Sequence, residues 1–152
     1  MNKEEKIARA RELAHNYKLQ GYHCSESIIR AVPEAIGLKL SDDVVKAACG
    51  FFGGGGGTGG RCGVIESCLI IISMLYGRLD SETSDQDIRV LSLELMQRFT
   101  KHFGTRQCCE IKPKEIANFG EDYGCMRIYE EGAELVTKLL LEADEILAKS
   151  VD

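Results

Sequence analysis

The chain has 152 residues, 44% of them hydrophobic and 28% charged. That is the balance of an ordinary globular protein able to bury its own core. Its net charge of −5 argues against a nucleic-acid partner, which selects a basic surface. The departure from the ordinary is its seven cysteines.

The first residues, MNKEEKIARARELAHNYKL, are charged and amphipathic and carry no signal-peptide core. A reducing, cytoplasmic setting is the resulting default. There, cysteines serve catalysis, redox sensing or metal binding more often than structural bridging. Ile7, Ala10, Leu13, Ala14 and Tyr17 recur at helical spacing and predict a first helix over residues 4–20, broken by Gly21. A second is expected from Cys24 or Ser25 to Ile36, bent at Pro33 and ended by Gly37. Ser41 caps a short third helix, with Asp42 and Asp43 in its first turn. That helix runs into the glycines at 53–60.

The stretch over 62–76 is apolar nearly all round and predicts a buried central helix. It is too short to cross a bilayer, which takes about 20 apolar residues, and Glu66 interrupts it. A fifth helix over 85–103, capped by Ser84, turns Ile88, Leu91, Leu95, Phe99 and Phe103 inward and stops at Gly104. Residues 104–124 read as polar and irregular, with one helical turn after Pro113. The last helix, over 125–149, buries Ile128, Leu135, Leu139, Ala143 and Ile146. No two-residue alternation, repeat or linker appears. The expected fold is all-α: one domain over 1–152, a helical bundle of about five to six helices. Its apolar central helix (about 62–76) follows a glycine-rich loop.

Cys62 stands where that loop meets that helix. A cysteine in a first helical turn lies in the field of unpaired N–H groups, which favours thiolate over thiol. The glycines before it bring little bulk and adopt backbone angles closed to other residues. Cys62 is therefore expected to be the most reactive thiol, labelled before Cys49 or Cys68. Cys24 and Cys125 also fall at expected helix starts, and Cys108 follows a helix stop. Convergence of those ends would gather the sulfurs of Cys24, Cys62, Cys108 and Cys125 in one place.

Those same four positions carry a resemblance. GYHCSES, GGRCGVIES, HFGTRQCCEI and YGCMRIYEEGAEL resemble a family defined by four cysteines and a Cys-Gly-Ala-x-x-Gly motif, the C_GCAxxG_C_C family. The resemblance covers nearly the whole chain. Val64 replaces the motif's alanine and Ser67 its second glycine. The resemblance implies a redox-active protein in which Cys24, Cys62, Cys108 and Cys125 form the site. They would serve as catalytic thiols or as ligands of a cofactor or metal.

Neighbouring groups offer supporting roles. Glu66, one turn past Cys62, would share its helix face and hold a proton near the sulfur. Arg61 and Arg106 flank Cys62 and Cys108 and would favour the anion; His23 beside Cys24 is a candidate base or ligand. Cys49 and Cys68, among apolar residues, read as core; Cys109 reads as a spare or resolving thiol.

No Cys-x-x-Cys occurs, so spacing points neither to a thioredoxin-type dithiol nor to a zinc ribbon. Gly55, Gly57 and Gly60 match G-x-G-x-x-G formally, but a helix precedes them and no Gly-Lys-Ser/Thr follows. A nucleotide site is excluded on that pattern. Three functions remain open. The first is a redox protein working by dithiol–disulfide exchange or through an iron–sulfur cluster, with an unidentified redox partner protein. The second is a zinc-binding or other soft-metal-binding, redox-sensing module without turnover. The third is a structural bundle whose cysteines pack as hydrophobes.

Overall fold

The computed structural model describes residues 1–151. Among them the chain is all-helical: α1 (Lys3–Leu19), α2 (Cys24–Ile36), α3 (Asp42–Ala47), α4 (Gly63–Tyr76), α5 (Gln86–Phe103), α6 (Cys108–Phe119), α7 (Glu121–Leu141) and α8 (Ala143–Lys149). A 3₁₀ turn, Cys49–Gly54, leads into the glycine-rich loop. Eight α-helices replace the expected five to six, and the difference lies after residue 104. There the segment read as irregular holds α6, and the expected last helix begins earlier, at Glu121, and is interrupted at Glu142. No helix among the described residues is long and apolar enough to cross a membrane.

Local chemistry accounts for most boundaries. Asn2 caps α1 by accepting the Glu5 N–H at 2.8 Å, and Glu5 returns the favour to the Asn2 N–H at 3.0 Å. This is a reciprocal cap that satisfies otherwise orphaned donors. Gly37 and Gly104 end α2 and α5 in the left-handed conformation. The Ser84 hydroxyl accepts the Gln86 N–H at 3.2 Å, at the start of α5.

The core draws on every long helix. Ile28, Ile29 and Val32 of α2 meet Ile65, Ile71 and Ile72 of α4, Leu95 and Phe99 of α5, and Val136 and Leu139 of α7. Helix α7 touches α1, α2, α4, α5, α6 and α8. Helix α4 packs on α2, α5 and α7 but exposes Ser73, Met74 and Leu75 at its far end, so it is not buried all round.

Both departures from the family motif are built into this packing. Val64 is fully buried, and a Cβ placed on Gly132 of α7 would lie 2.8 Å from its Cγ1. A glycine on the facing helix therefore supplies the room that the larger side chain takes up. Ser67 is also fully buried, and its hydroxyl donates to the Ser25 carbonyl at 2.6 Å. The added oxygen is thus satisfied and joins α4 to the start of α2.

Candidate functional site

Two stretches of backbone far apart in sequence clip together to place two sulfurs. The Cys62 N–H donates to the Arg106 carbonyl at 2.8 Å, the Cys108 N–H to Gly60 at 2.7 Å, and the Cys109 N–H to Gly59 at 3.1 Å. The pattern is a short antiparallel bridge centred on Arg61 and Gln107. Gly59 holds φ +80°, and a Cβ there would stand 2.9 Å from Cys109 Cβ, so the clip needs glycine at that point. Cys62 and Cys108 are two steps apart along this bridge and lie on the same face of it.

Helix α2 brings in the third sulfur. Cys24 is the first residue of α2, and a Cβ on Gly63 would lie 2.7 Å from its Sγ and 2.8 Å from the Phe51 carbonyl oxygen. The bare glycine after Cys62 is therefore what lets Cys24 approach. Cys125 completes the set from α7. It sits in the second turn rather than at the helix start, because α7 begins at Glu121. Cys24, Cys62, Cys108 and Cys125 line one pocket of about 540 Å³, closed by Phe52, Gly53, Ile128 and Tyr129 among others. All seven cysteines are free thiols. A hollow of about 620 Å³ between α5 and α7, bordered by Arg98, His102 and Glu131, holds no cysteine.

Burial, not the helix field, dominates the thiols. Cys62 caps α4, and the Val64 and Ile65 N–H groups favour its thiolate, as expected of a helix start. Yet Cys62 is only 4% exposed, and burial pushes its thiol up to about 12, helped by repulsion from Cys24 and Cys108. Cys62 is thus the least ionised of the pocket's thiols for which a shift is resolved, and its burial runs against the expectation that it reacts first. Cys24 is also raised, by burial, against the pull of the Gly53 and Ser25 backbone. Cys108 is raised by burial too, but less enclosed, and Lys112 favours its thiolate.

The remaining candidates divide. His23 borders the pocket with its ring stacked on Phe52, centroids 4.8 Å apart. Cys109 is exposed at the pocket rim, and Cys68 is fully buried. Cys49, expected in the core, is exposed, with Sγ 3.7 Å from a Glu26 carboxylate oxygen. Arg106 borders a separate hollow beside α5. Arg61 donates to Glu66, and Glu66 borders a groove with Val44, Leu69 and Ile70, away from the sulfurs. The one-turn spacing from Cys62 does not place Glu66 on the sulfur face, because Cys62 precedes the helix with extended backbone. Glu66→Gln is expected to leave the pH profile of thiol alkylation unchanged while costing up to about 1 kcal/mol of stability through the lost Arg61 pair; parallel alkylation rates and urea curves check both.

Two pocket residues escaped the sequence. Lys112 stands four residues after Cys108 on α6, and Tyr129 four after Cys125 on α7. One helical turn relates each pair, a signal legible only once α6 and the true start of α7 are known. The Tyr129 phenol is pushed up, mainly by burial, and donates to the Tyr22 carbonyl at 3.4 Å.

As a metal site the arrangement is open. Among the described residues no three His, Cys, Asp or Glu side chains stand in a grouping that could hold a metal ion. The four sulfurs share a pocket without forming a chelate, so the donor set does not fit an iron–sulfur cluster or zinc as it stands.

A family model described as "Putative redox-active protein (C_GCAxxG_C_C)" matches residues 22–139. The matched span begins just before Cys24 and runs past Cys125 into the end of α7. No curated protein and no solved structure matches the chain.

Proposed function

The chain belongs to the family described as "Putative redox-active protein (C_GCAxxG_C_C)", and from that premise we propose that it works by dithiol–disulfide exchange in the four-cysteine pocket. The observation that carries the reading is the contact of the Cys24 sulfur with Gly63, beside Cys62, in a pocket that Cys108 and Cys125 also line. Cys24 and Cys62 form the inner pair; Cys108 and Cys125 form the outer one.

Cys108 is the entry thiol, because it is half-buried and Lys112 favours its thiolate. Its sulfur attacks one sulfur of an incoming disulfide. The attacked S–S bond breaks, a mixed disulfide forms and a substrate thiolate leaves. A second pocket thiol then gives up its proton and displaces the remaining substrate thiolate. The substrate disulfide is thereby reduced to thiols, and the protein dithiol is oxidised to a disulfide. Attack by Cys24, resolved by Cys62, passes that disulfide to the inner pair. Burial raises Cys62 and Cys24 as thiols, which slows their attack and favours retention of the proton when the pair is reduced.

The test is a titration of anaerobically purified, reduced protein with a small disulfide, followed by thiol counting and mass-spectrometric bridge mapping. The expected result is loss of two pocket thiols per chain for each disulfide consumed, with a Cys24–Cys62 bridge at the end point. Cys62→Ser should still release both substrate thiols but leave the bridge on Cys108, because the step that closes the inner pair is lost. The reading is overturned by visible absorption with stoichiometric iron, by bound zinc without thiol loss, or by thiols that survive the oxidant unchanged.

A further inference from the structure

We infer that the pocket takes a small anionic disulfide and that Lys112 is the group that draws it in. This rests on the dithiol-exchange reading and adds the class of substrate. The first argument is shape. The sulfurs line a concavity of about 540 Å³, inside the range of about 300–1,000 Å³ that encloses a small molecule. The entry thiol Cys108 is half-buried and lines this concavity rather than standing on a flat surface, so a compact, flexible disulfide reaches it more readily than one held rigidly on a folded partner.

Charge is the second argument. The chain carries a net charge of −5, yet among the described residues lining this pocket there is no aspartate or glutamate. Lys112 is the one lysine or arginine lining it, one helical turn beyond Cys108. The arginines nearest Cys62 and Cys108 in sequence lie outside its lining: Arg61 pairs with Glu66, and Arg106 borders a hollow beside α5. Apart from Lys112 much of the lining is apolar: Ile111, Pro113 and Ile128 share it with the stacked rings of His23 and Phe52. Such a site accepts a short hydrocarbon skeleton and favours negative charge at its end. Lys112 meets that charge while Cys108 meets the S–S bond. Cys108 attack releases one carboxylate-bearing thiolate and leaves the other half as a mixed disulfide; resolution by a second pocket thiol releases it, with two substrate thiols formed for each protein disulfide.

Three disulfides of similar skeleton test this: dianionic dithiodipropionate, neutral hydroxyethyl disulfide and dicationic cystamine, each reacted with the reduced full chain. The expected order is dianion, neutral, dication, with about a fivefold step between neighbours at low salt and a smaller spread at high salt. Lys112→Gln should compress the series, and Lys112→Glu should invert it, with circular dichroism confirming that both variants are folded. Rates independent of charge, or an order unchanged in Lys112→Gln, overturn the inference and leave the exchange reading standing. So does fast oxidation by a protein disulfide with none by these small ones. Failure of every disulfide, small or protein-borne, removes the exchange reading itself and the inference with it.

Discussion

Stability is expected to fall steeply as the pH rises from 9.0 toward 12, the interval over which Cys62 is protonated in the fold but ionises in the unfolded chain. The sign follows from linkage. Below 9.0 the thiol is protonated in both states and its burial is unopposed. Above 9.0 the unfolded chain releases the proton while the fold retains it, so each further pH unit costs about 1.4 kcal/mol per such group. For Cys62 alone the loss is on the order of 4 kcal/mol by the time pH reaches about 12. Cys24, Cys68 and Tyr129 are raised mainly by burial as well and act with the same sign. Urea unfolding under reductant at several alkaline pH values reads this directly; a midpoint flat across the interval would contradict the burial of these thiols. Alkylation gives the kinetic counterpart. At pH 8 the thiolate fraction of Cys62 should be about a thousandfold below that of an unshifted thiol. Cys49 and Cys109 are exposed where Cys62 is buried, and should be labelled well before it on access alone.

Gly63→Ala is expected to damage the site where Cys24 approaches Cys62. The added carbon would stand 2.7 Å from Cys24 Sγ, 2.8 Å from the Phe51 carbonyl oxygen and 3.2 Å from Ser25 Cβ. The sulfur could swing aside, but the carbonyl is main chain and holds the approach to the glycine loop. Overpacking of this kind costs about 1–3 kcal/mol. It also pushes the start of α2 away from Cys62, so formation of the Cys24–Cys62 bridge should slow at least about tenfold. Gly50→Ala is the matched control, since nothing lies within 4 Å of a Cβ there. Thermal unfolding and the rate of bridge formation measure both effects. Equal behaviour of the two variants would mean that the close approach of Cys24 to Gly63 is not what builds the site.

These expectations also show how far the residues could be read directly. The helices with a continuous apolar stripe, α1, α2, α4 and α5, stand within a residue or two of where periodicity put them. Helix α6 was illegible because it buries only Ile111 and Glu115, the latter paired with Arg127 at 3.0 Å. An ion pair gives no hydrophobic period, and Pro113 reads as a breaker although the helix runs through it. The loss of α6 carried Lys112 with it. Within the site, the four cysteines of the family motif were legible as a set and do line one pocket. Their reactivity was not, because a helix start and a buried position are indistinguishable in sequence yet move a thiol in opposite directions. Glu66 shows the same limit on a smaller scale: a spacing of four means a shared face only between residues that are both inside the helix.

The clip between Gly59–Cys62 and Arg106–Cys109 is made almost wholly of main-chain donors and acceptors. Such a joint does not record which side chains flank it. Substitutions at Arg61 and Gln107, the two residues facing each other across it, can accumulate without displacing the sulfurs that it delivers. Side chains on that face, which is turned away from the sulfurs, can therefore change while the spacing of Cys62 and Cys108 is inherited intact. Gly59 and Gly60 are the exceptions, since a side chain there meets Cys109 or the Gly54 carbonyl. The geometry of the reactive centre is in this way carried by the main chain and its glycines.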